Sequence, residues 1–160
     1  ERRWVRFEPS EVFSFDLTVD FNGRGSLKEE KYTYDFSTES FASDISKARS
    51  FGFYEDAQKL YAAGLAKGSS LDNAVVIKGG KVMNKDGLRY QNEMVRHKIL
   101  DAMGDFYLAG MPIQGRCVGH NIGHEFNNRL MRKLLADPSA YELIDLNSLH
   151  PSKKTRLEAD

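Results

Sequence analysis

The sequence is poor in features that define several protein classes, and each lack removes an option. Cys117 is the only cysteine among 160 residues, so the chain has neither a disulfide framework nor a cysteine-rich metal knuckle. That thiol reads as a small buried apolar group, and the composition suits a reducing compartment. Neither charge is in excess, because 23 Lys and Arg balance 23 Asp and Glu. A general nucleic-acid binder carries a basic surplus, so that class is disfavoured. No apolar run approaches the roughly 20 residues that span a bilayer, and no secretory leader is visible. The opening Glu1 in place of Met suggests a fragment or a processed product. What remains is ordinary for a globular chain, with 41% apolar and 11% aromatic residues. The length suits one domain with one substantial core.

Periodicity supplies the elements. Trp4, Val5 and Phe7 suggest a first strand. From Val12 to Phe21 the chain alternates, with Phe13, Phe15, Leu17, Val19 and Phe21 on one side and Ser14, Asp16, Thr18 and Asp20 on the other. That is the pattern of a half-buried strand. Asn22-Gly23-Arg24-Gly25 supplies a turn, and Tyr32, Tyr34 and Phe36 continue into a second strand, giving a long hairpin. Ser37-Thr38-Glu39 opens a helix, and Phe41, Ile45 and Ala48 follow at helical spacing. A short helix fits Tyr54, Ala57, Leu60 and Tyr61, stopped by Gly64. Ala74–Ile77 reads as a strand that turns at Gly79-Gly80 into Val82-Met83. A longer helix spans about Asn92 to Leu108, Gly115–Gly123 is extended, and His124–Leu135 is a last helix ended by Asp137-Pro138. Such grouping predicts an α+β fold: a two-layer sandwich of a mainly antiparallel sheet with helices on one face. A β-α-β insertion over about 53–84 interrupts it, and a polar tail at 150–160 reads as disordered.

Chemistry concentrates in the longer helix, Val95-Arg96-His97-Lys98-Ile99-Leu100-Asp101-Ala102-Met103-Gly104-Asp105. One turn takes about 3.6 residues and 5.4 Å, so His97 and Asp101 share a face. An imidazole and a carboxylate at that spacing can grip one divalent metal, zinc being favoured by mixed nitrogen and oxygen ligands. The same spacing also describes a surface His–Asp pair worth a few tenths of a kcal/mol, on the order of other such helical pairs. Ile99, Leu100, Met103 and Phe106 make the surroundings apolar, and charges beside a core need a reason.

That segment, with Ala48-Arg49-Ser50-Phe51-Gly52-Phe53 and Gly87-Leu88-Arg89-Tyr90 upstream and Gly123-His124 and Asn127-Asn128 downstream, resembles the UDP-3-O-acyl-N-acetylglucosamine deacetylases. These are zinc amidohydrolases of lipid A synthesis in Gram-negative bacteria, and the resemblance runs from about Trp4 to about Leu135. It matches the second of the family's two α+β domains, taken as residues 1–149, with no equivalent of the first. The resemblance implies a cytoplasmic enzyme in which His97 and Asp101 bind Zn²⁺, with iron as the other candidate metal. The third protein ligand and a glutamate general base would come from the first domain. It implies that His124, partnered by Asp105, acts on the oxyanion and the leaving amine, and that the Ser50 hydroxyl, where the family usually has threonine, donates to the oxyanion. Lys98 would meet the nucleotide diphosphate, Arg3 would stand near the nucleotide, Phe21 would pack on the uracil, and Phe51 and Phe53 would lie near the acyl passage. Taken without the family, Lys98 is a solvated charge, His124 a helix-start residue, and the aromatics are core packing.

Three departures from the family pattern stand out: Gly68-Ser69-Ser70 in the insertion, Asn121-Ile122 in place of a Lys-Ser pair, and Glu125 in place of a small residue. Glu125 either favours a cationic His124 or faces solvent at the helix start. The implied activity is hydrolysis of the N-acetyl amide of the UDP-3-O-acyl sugar. The rival reading is a catalytically incomplete module that binds the UDP-sugar and acyl chain, or that assembles with a separate first domain. A helix layer with no first domain to cover it predicts an exposed apolar patch, and with it self-association or a partner.

Overall fold

The computed structural model describes residues 3–145. The polar tail expected at 150–160 lies outside the described residues. Strands β1 (Trp4–Glu8), β2 (Phe13–Val19) and β3 (Glu30–Asp35) lead the chain, and a seventh strand, Gly115–His120, joins them in a sheet ordered first, seventh, second, third. Two of its pairings are antiparallel, and the central one, between β2 and Gly115–His120, is parallel. The late strand therefore inserts between the first two. The expected alternation holds along β2, where Phe15, Leu17, Val19 and the following Phe21 are buried. Ser14 is the exception: it is buried too, and its hydroxyl has no hydrogen-bond partner.

Ser37 starts a single turn, α1 (Thr38–Ser40), through a reciprocal box with Ser40. The chain then widens into a π-turn over Phe41–Ile45 rather than a regular helix, which buries Ile45 while leaving Ala42 and Ser43 outside. The insertion has its own three-stranded sheet: β4 (Ser50–Phe53), then helix α2 (Tyr54–Ala62), then β5 (Ala74–Lys78) parallel to β4, and β6 (Lys81–Val82) antiparallel to β5. Val75 and Ile77 carry it into the core, and α2 buries no residue fully. The insertion is tied to the loop after β2 at one close approach. A Cβ on Gly80 would lie 2.3 Å from the Ser26 nitrogen, and Gly80 has φ +75°, so only glycine fits. Ser26 Oγ donates to the Gly80 carbonyl at 3.1 Å, and Arg24 Nη1 meets Asp56 Oδ2 at 2.6 Å.

Helices α3 (Glu93–Phe106) and α4 (His124–Leu135), separated by the strand β7 (Gly115–His120), form the second layer. Val95, Ile99, Ala102 and Phe106 recur at three- and four-residue spacing and are all buried, so one stripe of α3 lies on the sheet. Phe106 stacks on Phe15 with ring centroids 6.3 Å apart. The start of α3 has no side-chain cap of its own; Glu30 of β3 accepts the Val95 N–H at 2.9 Å instead. Cys117 is fully buried beneath this layer, and burial pushes its thiol up to about 12. It is unreactive packing.

Candidate active site

The spacing of α3 sets its polar face. His97 Nε2 lies 3.2 Å from Asp101 Oδ1, and both side chains are largely enclosed, at 16% and 15% exposure. On its other nitrogen, His97 Nδ1 is 3.1 Å from the Ala48 carbonyl. A carbonyl only accepts, so Nδ1–H is the donor there, and Nε2 is the nitrogen that meets Asp101 and is open to a metal. Lys98 Nζ reaches Asp101 Oδ2 at 3.4 Å. Burial, the largest influence on Asp101, raises its carboxyl pKa. The hydrogen bond and charge of His97 with the charges of Lys98 and His124 outweigh it, leaving the group below its ordinary value of 3.8. An imidazole nitrogen and an ionised carboxylate side by side, with the imidazole oriented from behind by a carbonyl, fit a divalent zinc-type metal. They make two ligands, so such a site needs a third from elsewhere.

One turn further on, Asp105 holds His124. His124 is the first residue of α4 after Gly123, and its Nδ1 donates to both Asp105 oxygens, at 3.0 Å and 2.9 Å. The bond leaves Nε2 facing outward on a side chain that is 72% exposed. Asn127, one turn along α4 and wholly buried, donates Nδ2–H to Asp105 Oδ2 at 2.7 Å. Its Oδ1 has no partner. Glu125 is exposed and lies 3.6 Å from Arg129 in the next turn. Of its two expected placements, it takes the solvent-facing one at the helix start.

A cleft of about 240 Å³ opens beside this face. Arg3, Phe21, Phe51, Phe53 and Lys98, all singled out from the sequence, line it together with Arg24, Asp20, Asn121 and Ile122. Phe21 meets Phe51 edge-on with centroids 6.4 Å apart, and Lys98 Nζ lies 5.5 Å from the Phe51 ring centre. Ser50 is exposed immediately before Phe51, at the head of β4. Arg3 donates Nε–H to the Asn121 carbonyl at 3.0 Å and rests on the Phe126 ring. Asn121 has φ +49°, a region that Asn tolerates better than most residues. Its Oδ1 accepts the Asp20 N–H at 2.8 Å. Asn121 therefore shapes the cleft wall rather than simply removing a charge from it. Arg24 was not anticipated; the only sequence signal was a cation three residues after Phe21, in the turn. In the insertion, the Gly68-Ser69-Ser70 departure is bridged by Asn73, which accepts from Ser70 N and donates to the Gly68 carbonyl.

Another group of ligand-type side chains shares Asp20 with the cleft. Asp20, Glu29 and His120 have one ligand atom each within 4.8 Å of one another. They stand at one end of three neighbouring strands, and His120 is opposite in parity to the buried Cys117 and Gly119. Glu29 is exposed, and exposed carboxylates gather in this way without an ion.

The sequence model of a family described as UDP-3-O-acyl N-acetylglycosamine deacetylase (LpxC) matches residues 1–136. Three curated relatives carry the name UDP-3-O-acyl-N-acetylglucosamine deacetylase. The protein of Helicobacter hepaticus is 42% identical over 146 residues, covering 91% of this chain and 48% of the relative. That of Shewanella violacea is 46% identical over 147 residues, with 91% and 48% covered. That of Nitrosococcus oceani is 45% identical over 145 residues, with 90% and 48% covered. The chain thus spans about half the length of the curated relatives it matches. A family match over most of the chain, together with these identities, means that the chain belongs to the UDP-3-O-acyl N-acetylglycosamine deacetylase family.

Proposed function

We propose that this chain supplies the second-domain half of a zinc-dependent, cytoplasmic amidohydrolase of lipid A synthesis. The enzyme removes the N-acetyl group from a UDP-3-O-acyl-N-acetylglucosamine. The observation that carries this reading is the paired geometry on α3, with His97 and Asp101 at 3.2 Å and His124 on Asp105 at 2.9 Å. His97 Nε2 and the Asp101 carboxylate hold the metal, and the first domain contributes the third ligand. A bound zinc supplies Lewis acidity, polarising a carbonyl and lowering the pKa of water toward about 7.

The chain's own residues do the rest. Phe21 packs on the uracil, while Lys98 and Arg3, on the same cleft as Arg24, bind the diphosphate by charge. Phe51 and Phe53 lead the acyl chain toward the insertion. His124, with Nδ1–H spent on Asp105, turns Nε2 toward the substrate. Through Nε2–H, His124 stabilises the developing oxyanion, and it then passes that proton to the leaving amine. The Ser50 hydroxyl donates to the same oxyanion. A glutamate of the first domain takes the proton of the attacking water. The first domain also covers the helix layer, and the large exposed side chains Tyr107, Leu108 and Met111 after α3 support such a docking face.

In the complete enzyme, His97→Ala should lower zinc content and deacetylase turnover together, read by metal analysis and product formation. Wild-type metal content with wild-type turnover in that variant would remove His97 from the site and this function with it.

A further inference from the structure

The mechanism above makes no use of Arg49 and Glu93, yet they are the most tightly tethered charges around α3. Glu93 has no exposed surface, and the Arg49 side chain is only 9% exposed. The two Glu93 oxygens collect four donors. Oε1 accepts Arg49 N at 3.0 Å and Arg49 Nε at 2.8 Å; Oε2 accepts Arg49 Nη2 at 3.0 Å and Arg89 N at 2.6 Å. Arg49 Nη2 also donates to the Gly87 carbonyl, and Arg89 Nη1 to the Lys47 carbonyl. Residues 47–49 are therefore fastened from both sides to the first residue of α3. Between the two attachment points sits Ala48, whose carbonyl is 3.1 Å from His97 Nδ1.

We infer that the buried Arg49–Glu93 pair is a positioning pair: it holds the Ala48 carbonyl against His97 Nδ1 and thereby fixes the ring orientation that turns Nε2 toward Asp101. Two facts carry this. The Ala48 carbonyl only accepts, so it anchors the Nδ1–H side of the ring and leaves Nε2 on the Asp101 side, but only while it is itself held in place. An enclosed ion pair is also a poor stabiliser compared with apolar packing, whereas a planar fork on a carboxylate fixes direction as a point charge cannot. The metal-directed part of the inference rests on the proposed ligand role of His97; the ring orientation does not.

The test is Arg49→Lys, which keeps the charge and loses the fork, beside Glu93→Gln, which keeps an acceptor oxygen and loses the charge. Folding is checked by circular dichroism. The His97 Nδ1–H is read by NMR through its exchange with solvent, and metal affinity by zinc competition in the complete enzyme. The wild-type Nδ1–H should exchange slowly, held by the Ala48 carbonyl. Folded variants should lose that protection and bind zinc about 10- to 100-fold more weakly, the usual loss when an outer hydrogen bond to a ligand is removed. Folded variants that keep the protected Nδ1–H overturn the inference. Loss of the fold in both variants does so too, because the pair is then a stability element. If His97→Ala leaves zinc affinity unchanged, the metal reading fails on its own, and the Nδ1–H comparison still decides the role of the pair.

Discussion

A few buried polar side chains do work that composition hides. Asn127 is one. It sits on the inward face of α4 with no exposed surface and spends its amide N–H on Asp105. A hydrogen bond to a charged group contributes about 1.5–3 kcal/mol. Asn127→Ala should therefore cost about 2 kcal/mol in urea unfolding and loosen His124 as well, since Asp105 loses one of its two anchors. Wild-type stability in that variant would show that the bond contributes nothing. The Asn127-Asn128 pair was visible in the sequence, but which of the two points inward was not. That depends on the phase of α4, where Met131 is buried and Asn128 exposed.

Elements here are held at their ends by partners distant in sequence. The start of α3 is capped by Glu30 from β3 and anchored by Glu93 to Arg49, and the two carboxylates respond to pH in opposite directions. Burial, the largest influence on Glu30, raises it above its ordinary 4.5, with the Val95 and Met94 N–H bonds pulling against it. The folded state holds that proton more tightly than the unfolded one, so Glu30 disfavours folding increasingly as pH rises from 4.5 through its raised value. Glu93 is lowered, because the Arg49 and Arg89 bonds and the Arg49 charge outweigh burial, its largest single influence. Its stabilisation is present above 4.5 and is lost as pH falls through the lowered folded value. Replacing Glu30 with Gln keeps an acceptor for Val95. Urea melts across a pH series should therefore show Glu30→Gln gaining on the wild type as pH rises from 4.5 toward neutrality. A gap between the two that does not change with pH would contradict this account.

At the scale of the whole molecule, the sandwich leaves part of its helix layer bare. Tyr107 is 84% exposed and Leu108 74%, with Met111 at 49% close by in sequence. Large exposed apolar patches on a protein mark interaction surfaces, and these side chains lie within five residues of one another. Sedimentation of this chain should show self-association that weakens when Tyr107 and Leu108 are both changed to Ser. A monodisperse wild-type monomer at high concentration would mean the patch is too small to drive contact. No helix among the described residues is long and apolar enough to cross a membrane.

Local periodicity determined the strand faces, the polar face of α3 and the α+β class, because side-chain direction repeats every two residues in a strand and about every 3.6 in a helix. It put His97 and Asp101 on one face before any fold was known. It also announced the Ser37 start, but not the π-turn that follows, whose width is set by fitting Ile45 into a core the segment does not itself contain. The order of the sheet was equally out of reach: the parallel pairing of β2 with β7 joins residues about a hundred positions apart, and no local pattern specifies a partner at that range. The same holds for the cleft. Arg3, Phe21, Phe51 and Lys98 share a wall only because β7 and the insertion fold back beside α3. Likewise, Ala48 orients His97 only because Glu93 clamps Arg49. Directions are local properties of the chain, whereas juxtapositions are decided by what packs against them.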